Sequence, residues 1–121
     1  MKNTDITIIR GDTTEIGFTV TYEDGSPYTL TAEDKLYFTV KKNWYTEKFV
    51  VQKTIGNGIE FNEYTGEYVI TLTNLCTCDM ECRDYVYDIE SIINYNGEPI
   101  TTTLAKGKLV LDTEATYRSN E

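Results

Sequence analysis

The chain has 121 residues, 40% hydrophobic and 26% charged with only two prolines, which is the composition of one globular domain able to bury a core without metal or disulfide staples. Its net charge of −9 excludes a phosphate-binding stripe and an anionic-membrane surface, and favours solubility at high local concentration. The complete lack of His removes the commonest general base, the Ser-His and Cys-His nucleophile pairs and every His-containing metal site.

No apolar run approaches the ~20 residues that a bilayer-spanning helix needs. Met1-Lys2-Asn3-Thr4-Asp5 leads directly into a strand pattern without a signal-peptide core, so synthesis in a cytoplasm without export by a cleaved signal is expected. Strand patterns then recur from end to end. Asp5–Arg10 is a first strand, stopped by Gly11-Asp12. Glu15–Tyr22 places Ile16, Phe18, Val20 and Tyr22 on one face and stops at Glu23-Asp24-Gly25-Ser26-Pro27. Lys35–Lys41 puts Leu36, Phe38 and Val40 inward, and Lys48–Thr54 carries Phe49 and Val51 before Gly56-Asn57-Gly58. Ile59–Phe61 is a short strand before a turn at Glu63–Gly66, and Glu67–Thr73 alternates through Tyr68, Ile70 and Leu72. Asn74–Cys82 breaks the period, and Asn74 can cap one helical turn.

The most legible segment runs from Arg83 to Leu111. Asn96-Gly97 between two apolar-patterned runs predicts a type I′ hairpin with both turn residues at φ > 0. A two-residue loop then sets Tyr95 against Glu98, Ile93 against Ile100, Ser91 against Thr102 and Ile89 against Leu104. The apolar face changes phase between Leu104 and Leu109, which predicts a β-bulge near Ala105–Gly107. Beyond it Tyr87 lies over Gly107 and Tyr85 over Leu109, and Gly107 has φ > 0 or sits beneath the Tyr87 ring.

These elements predict an all-β fold, an antiparallel immunoglobulin-like β-sandwich of seven to eight strands with one short helical turn near 74–82. Residues 1–121 form a single domain with its core in 5–112 and a flexible tail at 113–121. The expected core is Ile16, Phe18, Val20, Leu36, Phe38, Val40, Tyr68, Ile70, Leu72, Tyr85, Tyr87, Ile89, Leu104 and Leu109. Asp79-x5-Tyr85-x-Tyr87 resembles the tyrosine corner of immunoglobulin-like sandwiches, in which the Tyr hydroxyl bonds back to upstream backbone. Phe18 and Tyr87 stand where antibody domains carry their inter-sheet cysteines.

The chain offers little chemistry. Cys76-x-Cys78-x3-Cys82, with Asp79 or Asp84, has the residue types of a zinc site but only one cluster, which would pin nothing beyond its own turn. Small apolar packing on a connecting turn accounts for it better, and a surface disulfide is the third reading. Neither a metal nor a cofactor is expected. Arg10-Gly11-Asp12 matches an integrin-read tripeptide but sits where a turn is needed. Asp24-Gly25-Ser26-Pro27 is likewise a turn, with too few oxygen ligands for calcium.

The candidate interaction surface is Trp44, Tyr45, Phe49, Val50 and Val51. Trp44-Tyr45 follows Asn43 in a loop, where the aromatics either stack on a glycan, cap the core edge or meet another subunit. Phe49-Val50-Val51 breaks the one-face alternation, as expected of an exposed sheet edge covered on both faces by a partner.

Four segments together resemble the N-terminal domain of phage baseplate upper proteins of siphophages. They are Arg10-Gly11-Asp12-Thr13, the run Asp24-Gly25-Ser26-Pro27-Tyr28-Thr29-Leu30-Thr31, Tyr85-Val86-Tyr87-Asp88-Ile89, and Thr103-Leu104-x2-Gly107-Lys108-Leu109. The resemblance spans about residues 5 to 112 and is carried by turns and core positions. It implies a non-enzymatic structural protein of a tail or baseplate, found in the virion or in the bacterial host cytoplasm during assembly. Its expected partners are other virion proteins or further copies of itself, with no nucleic acid and no membrane insertion. A glycan-binding or adhesion module built on the loop aromatics is the alternative.

Overall fold

The computed structural model describes residues 2–3, 5–21, 28, 30–31, 33–73 and 80–112, and these form nine strands with no helix among them. They are β1 (Lys2–Asn3), β2 (Ile6–Ile9), β3 (Thr14–Phe18), β4 (Lys35–Lys41), β5 (Val51–Ile55), β6 (Gly58–Asn62), β7 (Glu67–Leu72), β8 (Asp84–Tyr95) and β9 (Glu98–Asp112). The two-residue β1 is the strand beyond the seven or eight expected. The expected helical turn falls partly on 74–79, outside the described residues, and Met80–Cys82 is not helical. The turn at 24–27, the Asn74 cap and the tail 113–121 also lie outside them.

One hydrogen-bonded ladder runs β1-β9-β8-β4-β5-β6-β7-β3, with β2 also on β9. Side chains from β2, β4 and β7 to β9 share one core with Ile59 of β6, so the ladder folds into two packed layers. One layer is β9-β8-β4-β5, edged by β1 and β2, and the other is β6-β7-β3. This is the immunoglobulin-like sandwich, with β3, β7 and β6 in the places of strands B, E and D and β4, β8 and β9 in those of C, F and G. Most pairings are antiparallel, but β1 and β2 run parallel to β9, and β6 is parallel to β5 at Thr54↔Gly58 and Ile55↔Ile59. At that crossover Gly58 has φ +100°, and a Cβ there would collide with the Lys53 side chain.

The β8–β9 hairpin forms as its turn dictates. Asn96 and Gly97 have φ 53° and 85°, and Tyr95 faces Glu98, Ile93 faces Ile100 and Ser91 faces Thr102. The bulge comes one step earlier than expected. Ile89 pairs with Ala105 and Glu90 with Thr103, so Leu104 is the extra residue and the expected Ile89–Leu104 pair does not form. Past it Tyr87 lies opposite Gly107 and Tyr85 opposite Leu109, as the phase change requires. Gly107 is not among the described positive-φ glycines; what the structure shows of it is its place opposite Tyr87.

Eleven of the expected core residues are buried, among them Phe38, whose ring packs 5.8 Å from that of Tyr87. Ile8, Ile59, Met80 and Leu111 join them, while Ile16, Phe18 and Leu104 are only partly buried at its margin. The tyrosine corner is present: Tyr85 Oη donates to the Glu81 carbonyl at 2.7 Å. Burial pushes the phenol pKa of Tyr85 upward, against the opposing charge of Arg83.

Candidate interaction surface

Between β4 and β5 the chain must turn without glycine or proline, and Asn43 supplies the geometry. Its Oδ1 accepts the backbone N–H of Tyr45 and of Thr46, each at 3.0 Å, an Asx turn that fixes the loop. The Val50 N–H donates to the Val40 carbonyl at 2.7 Å and closes the far side. Thus held, the loop presents apolar side chains outward: Trp44 is 48% exposed, Tyr45 94% and Phe49 54%, with Val50 beside them. Trp44 neither caps the core nor stands free. The Lys106 ammonium on β9 lies 5.4 Å from its ring centroid, a cation–π contact of about 0.5–1 kcal/mol at an exposed site.

Two expectations for this surface change. Val51 opens β5 opposite Val40 and packs against the core, so it does not belong to the exposed patch. The strand expected over Lys48–Thr54 begins only at Val51, leaving Phe49 and Val50 in the loop. Nor is it a free edge along its whole length, because β5 lies between β4 and β6 and lacks a second partner only over 51–53 among the described residues. A three-residue apolar run thus marks the passage from an exposed loop into a covered strand.

Charge frames the patch. Asp88 stands opposite Thr39 and Lys106 on the outer face of the β4-β8-β9 layer. Burial pushes its carboxyl pKa up, and the Lys41 charge opposes that. Asp84 of the suggested metal cluster faces Lys108 at 3.9 Å, both well exposed, and Cys82 is an exposed free thiol. Cys76, Cys78 and Asp79 lie outside the described residues. Among the described residues no three His, Cys, Asp or Glu converge on a metal position. Arg10-Gly11-Asp12 is a turn, with the Asp12 N–H on the Ile9 carbonyl at 3.1 Å.

Two features escaped the sequence reading. The first is Asp34, a buried carboxylate whose Oδ2 accepts from Tyr28 Oη at 2.8 Å, Thr31 N at 2.9 Å and Thr31 Oγ1 at 3.2 Å. Its Oδ1 takes the Asn94 N–H at 3.0 Å, continuing by side chain the β4–β8 ladder whose last pair is Lys35↔Ile92. Burial raises its pKa, but the bonds from Thr31, Asn94 and Tyr28 outweigh burial and hold the carboxyl below its ordinary value. The Thr31-x-x-Asp34 spacing was the available signal; the partner sixty residues on was not. The second is Tyr64, 93% exposed in the β6–β7 turn, where Asn62 Oδ1 accepts its N–H at 2.9 Å. Phe61 on β6 and Ile55 on β5 are also exposed.

No family model matches the chain, and no curated protein matches it. Among solved structures it is similar to the extracellular domain of the voltage-gated sodium channel beta4 subunit, described as forming parallel homodimers with a role in cell–cell adhesion. That alignment has 16% identity and a TM-score of 0.42, and covers 94% of each chain.

Proposed function

We propose that this domain is a non-enzymatic structural module of a phage virion, tail- or baseplate-associated, acting through protein–protein contacts. The observation that carries the contact role is the 42–50 loop, fixed by Asn43 yet holding Trp44, Tyr45, Phe49 and Val50 outward. Scattered apolar residues are ordinary on a surface, whereas an aromatic-rich group on one ordered loop is what a partner covers. The assignment to a virion rests on the baseplate-like segments of the sequence. It places the protein in the assembled particle, or in the host cytoplasm before assembly, and uses no cofactor.

Co-sedimentation with a purified tail complex tests this reading. The wild-type protein is expected to pellet with the complex, and Val50→Lys or Trp44→Ala to lose roughly ten-fold in affinity while remaining folded. Wild-type protein that stays in the supernatant at every concentration overturns the reading. A glycan array run in parallel separates the rival, since binding to one sugar class that disappears in Trp44→Ala makes the domain an adhesion module.

A further inference from the structure

Of the three expected core residues that fail to be fully buried, Phe18 and Leu104 line one slot, and Ile16 lies two residues before Phe18 on the same strand. β3 pairs with β7 on one side and has no ladder partner on the other among the described residues. Across from it, β1 joins β9 from Ala105 onward, so among the described residues 98–104 of β9 likewise pair on one side alone, with β8. Between the two edges lies a slot of about 520 Å³, lined by Phe18, Thr19, Glu67, Ile89, Thr103 and Leu104 among others. Followed around the ladder, β3 runs opposite to β9, so a strand lying between them parallel to β9, as β1 and β2 are, would run antiparallel to β3.

We infer that this slot is a strand-addition site that takes an extended, apolar and basic segment of another protein. The lining specifies that alternation. Inward side chains of the added strand would meet Phe18 and Leu104 and complete their burial, beside the already buried Ile89. Outward ones would pass Gly17, over which the Glu67 carboxylate lies, 3.0 Å from where a Cβ would stand. The lining contains one carboxylate and no Lys or Arg, on a chain of net charge −9. Gly17 itself lets a neighbouring backbone approach. From Thr102 to Ala105 the slot is long enough for roughly four residues of extended chain at ~3.3 Å each. A second copy fits less well: β3 paired with β3 about Ile16 sets each Glu15 against the other copy's Gly17 and Glu67.

The site stands apart from the virion reading, because it depends on strand edges and charge alone. The test uses the full chain and a synthetic peptide alternating valine with threonine and lysine. Three comparisons accompany it: the same peptide with glutamate for lysine, the same peptide N-methylated at every second backbone nitrogen, and the Glu67→Lys protein. Binding is followed by amide chemical shifts and by hydrogen exchange. The lysine peptide is expected to slow exchange at Gly17–Thr19 and Thr102–Leu104. Each of the three changes should weaken binding roughly ten-fold, through charge or through the lost ladder. Equal binding of the N-methylated peptide, or protection centred on Val51–Lys53, overturns the proposal. So does prior protection of the slot amides in a dimer seen by sedimentation, which makes the occupant a second copy. The tail-complex assay through Trp44 is unaffected by any of these results, so the two readings fail separately.

Discussion

Strands β8 and β3 share the same alternation, yet they end in different states. In β8 Tyr85, Tyr87, Ile89 and Ser91 are all buried, whereas in β3 Ile16 and Phe18 are only partly buried. Period-two patterning states which face of a strand points inward; it does not state how completely the surrounding strands seal that face. β8 has β4 on one side and β9 on the other, and β3 has β7 alone among the described residues.

Truncating a ring on each side of this contrast gives the largest effect. Phe38→Ala should cost about 3–5 kcal/mol through the cavity left beside Tyr87. Phe18→Ala, whose ring stacks on Tyr68 at 5.9 Å but is only partly buried, should cost about half as much. Urea denaturation measures both, and equal losses would break the comparison.

Asp34 sharpens it next, since it seals the end of β8 that β4 does not reach. Asp34→Asn is expected to cost about 2–3 kcal/mol at neutral pH, because charge-assisted acceptance from four donors is lost. The sign with pH follows from a folded pKa below the ordinary value of 3.8. The carboxylate's contribution is fully present above the unfolded pKa of about 4 and is lost as pH falls through the lower folded value. Denaturation midpoints of wild type and variant should therefore converge in acid and separate above about pH 5. A pH-independent gap would mean that the ionised form is not what holds the loop.

Much of β8 and β9 was legible because its signals are local. Asn96-Gly97 fixes the turn and register, and the phase change announces a bulge. Even there the bulge was misplaced by one step, because side-chain pattern cannot say whether Leu104 or a later residue is the extra one. Ile59 and Met80 were missed as core since each lies in a segment too short to show a period. Trp44 and Tyr45 were legible as loop residues but not as exposed ones, since a loop aromatic can equally cap the core edge; Phe49 and Val50 stood out because they interrupt the alternation. Val51 could not be told from these two, because the strand's first residue is set by its pairing with Val40.

Tyr85→Phe should cost ~1 kcal/mol, read as a fall in thermal midpoint, since it removes the bond to the Glu81 carbonyl and leaves the ring in place. The smallest effect should have the opposite sign. Ser91 is fully buried in β8 and its Oγ has no hydrogen-bond partner among the described residues. Ser91→Ala is expected to raise stability by roughly 0.5–1 kcal/mol, because an unsatisfied hydroxyl is removed from the core. A loss instead would mean that the hydroxyl has a bound water as its partner.

The parallel seating of β1 and β2 on β9 has a mechanical consequence. Lys2 lies level with Ala105 and Ile9 with Asp112, and the Lys108 N–H donating to Asp5 Oδ1 at 3.1 Å fills the gap between the two short strands. The leading end of β1 and the trailing end of β9 therefore emerge at opposite ends of one ladder. Tension applied between them runs along the strands and loads every rung together, instead of opening rungs one after another from an end. A domain wired in this way transmits a pull along its length with little extension, and yields only when the whole set of rungs slides at once.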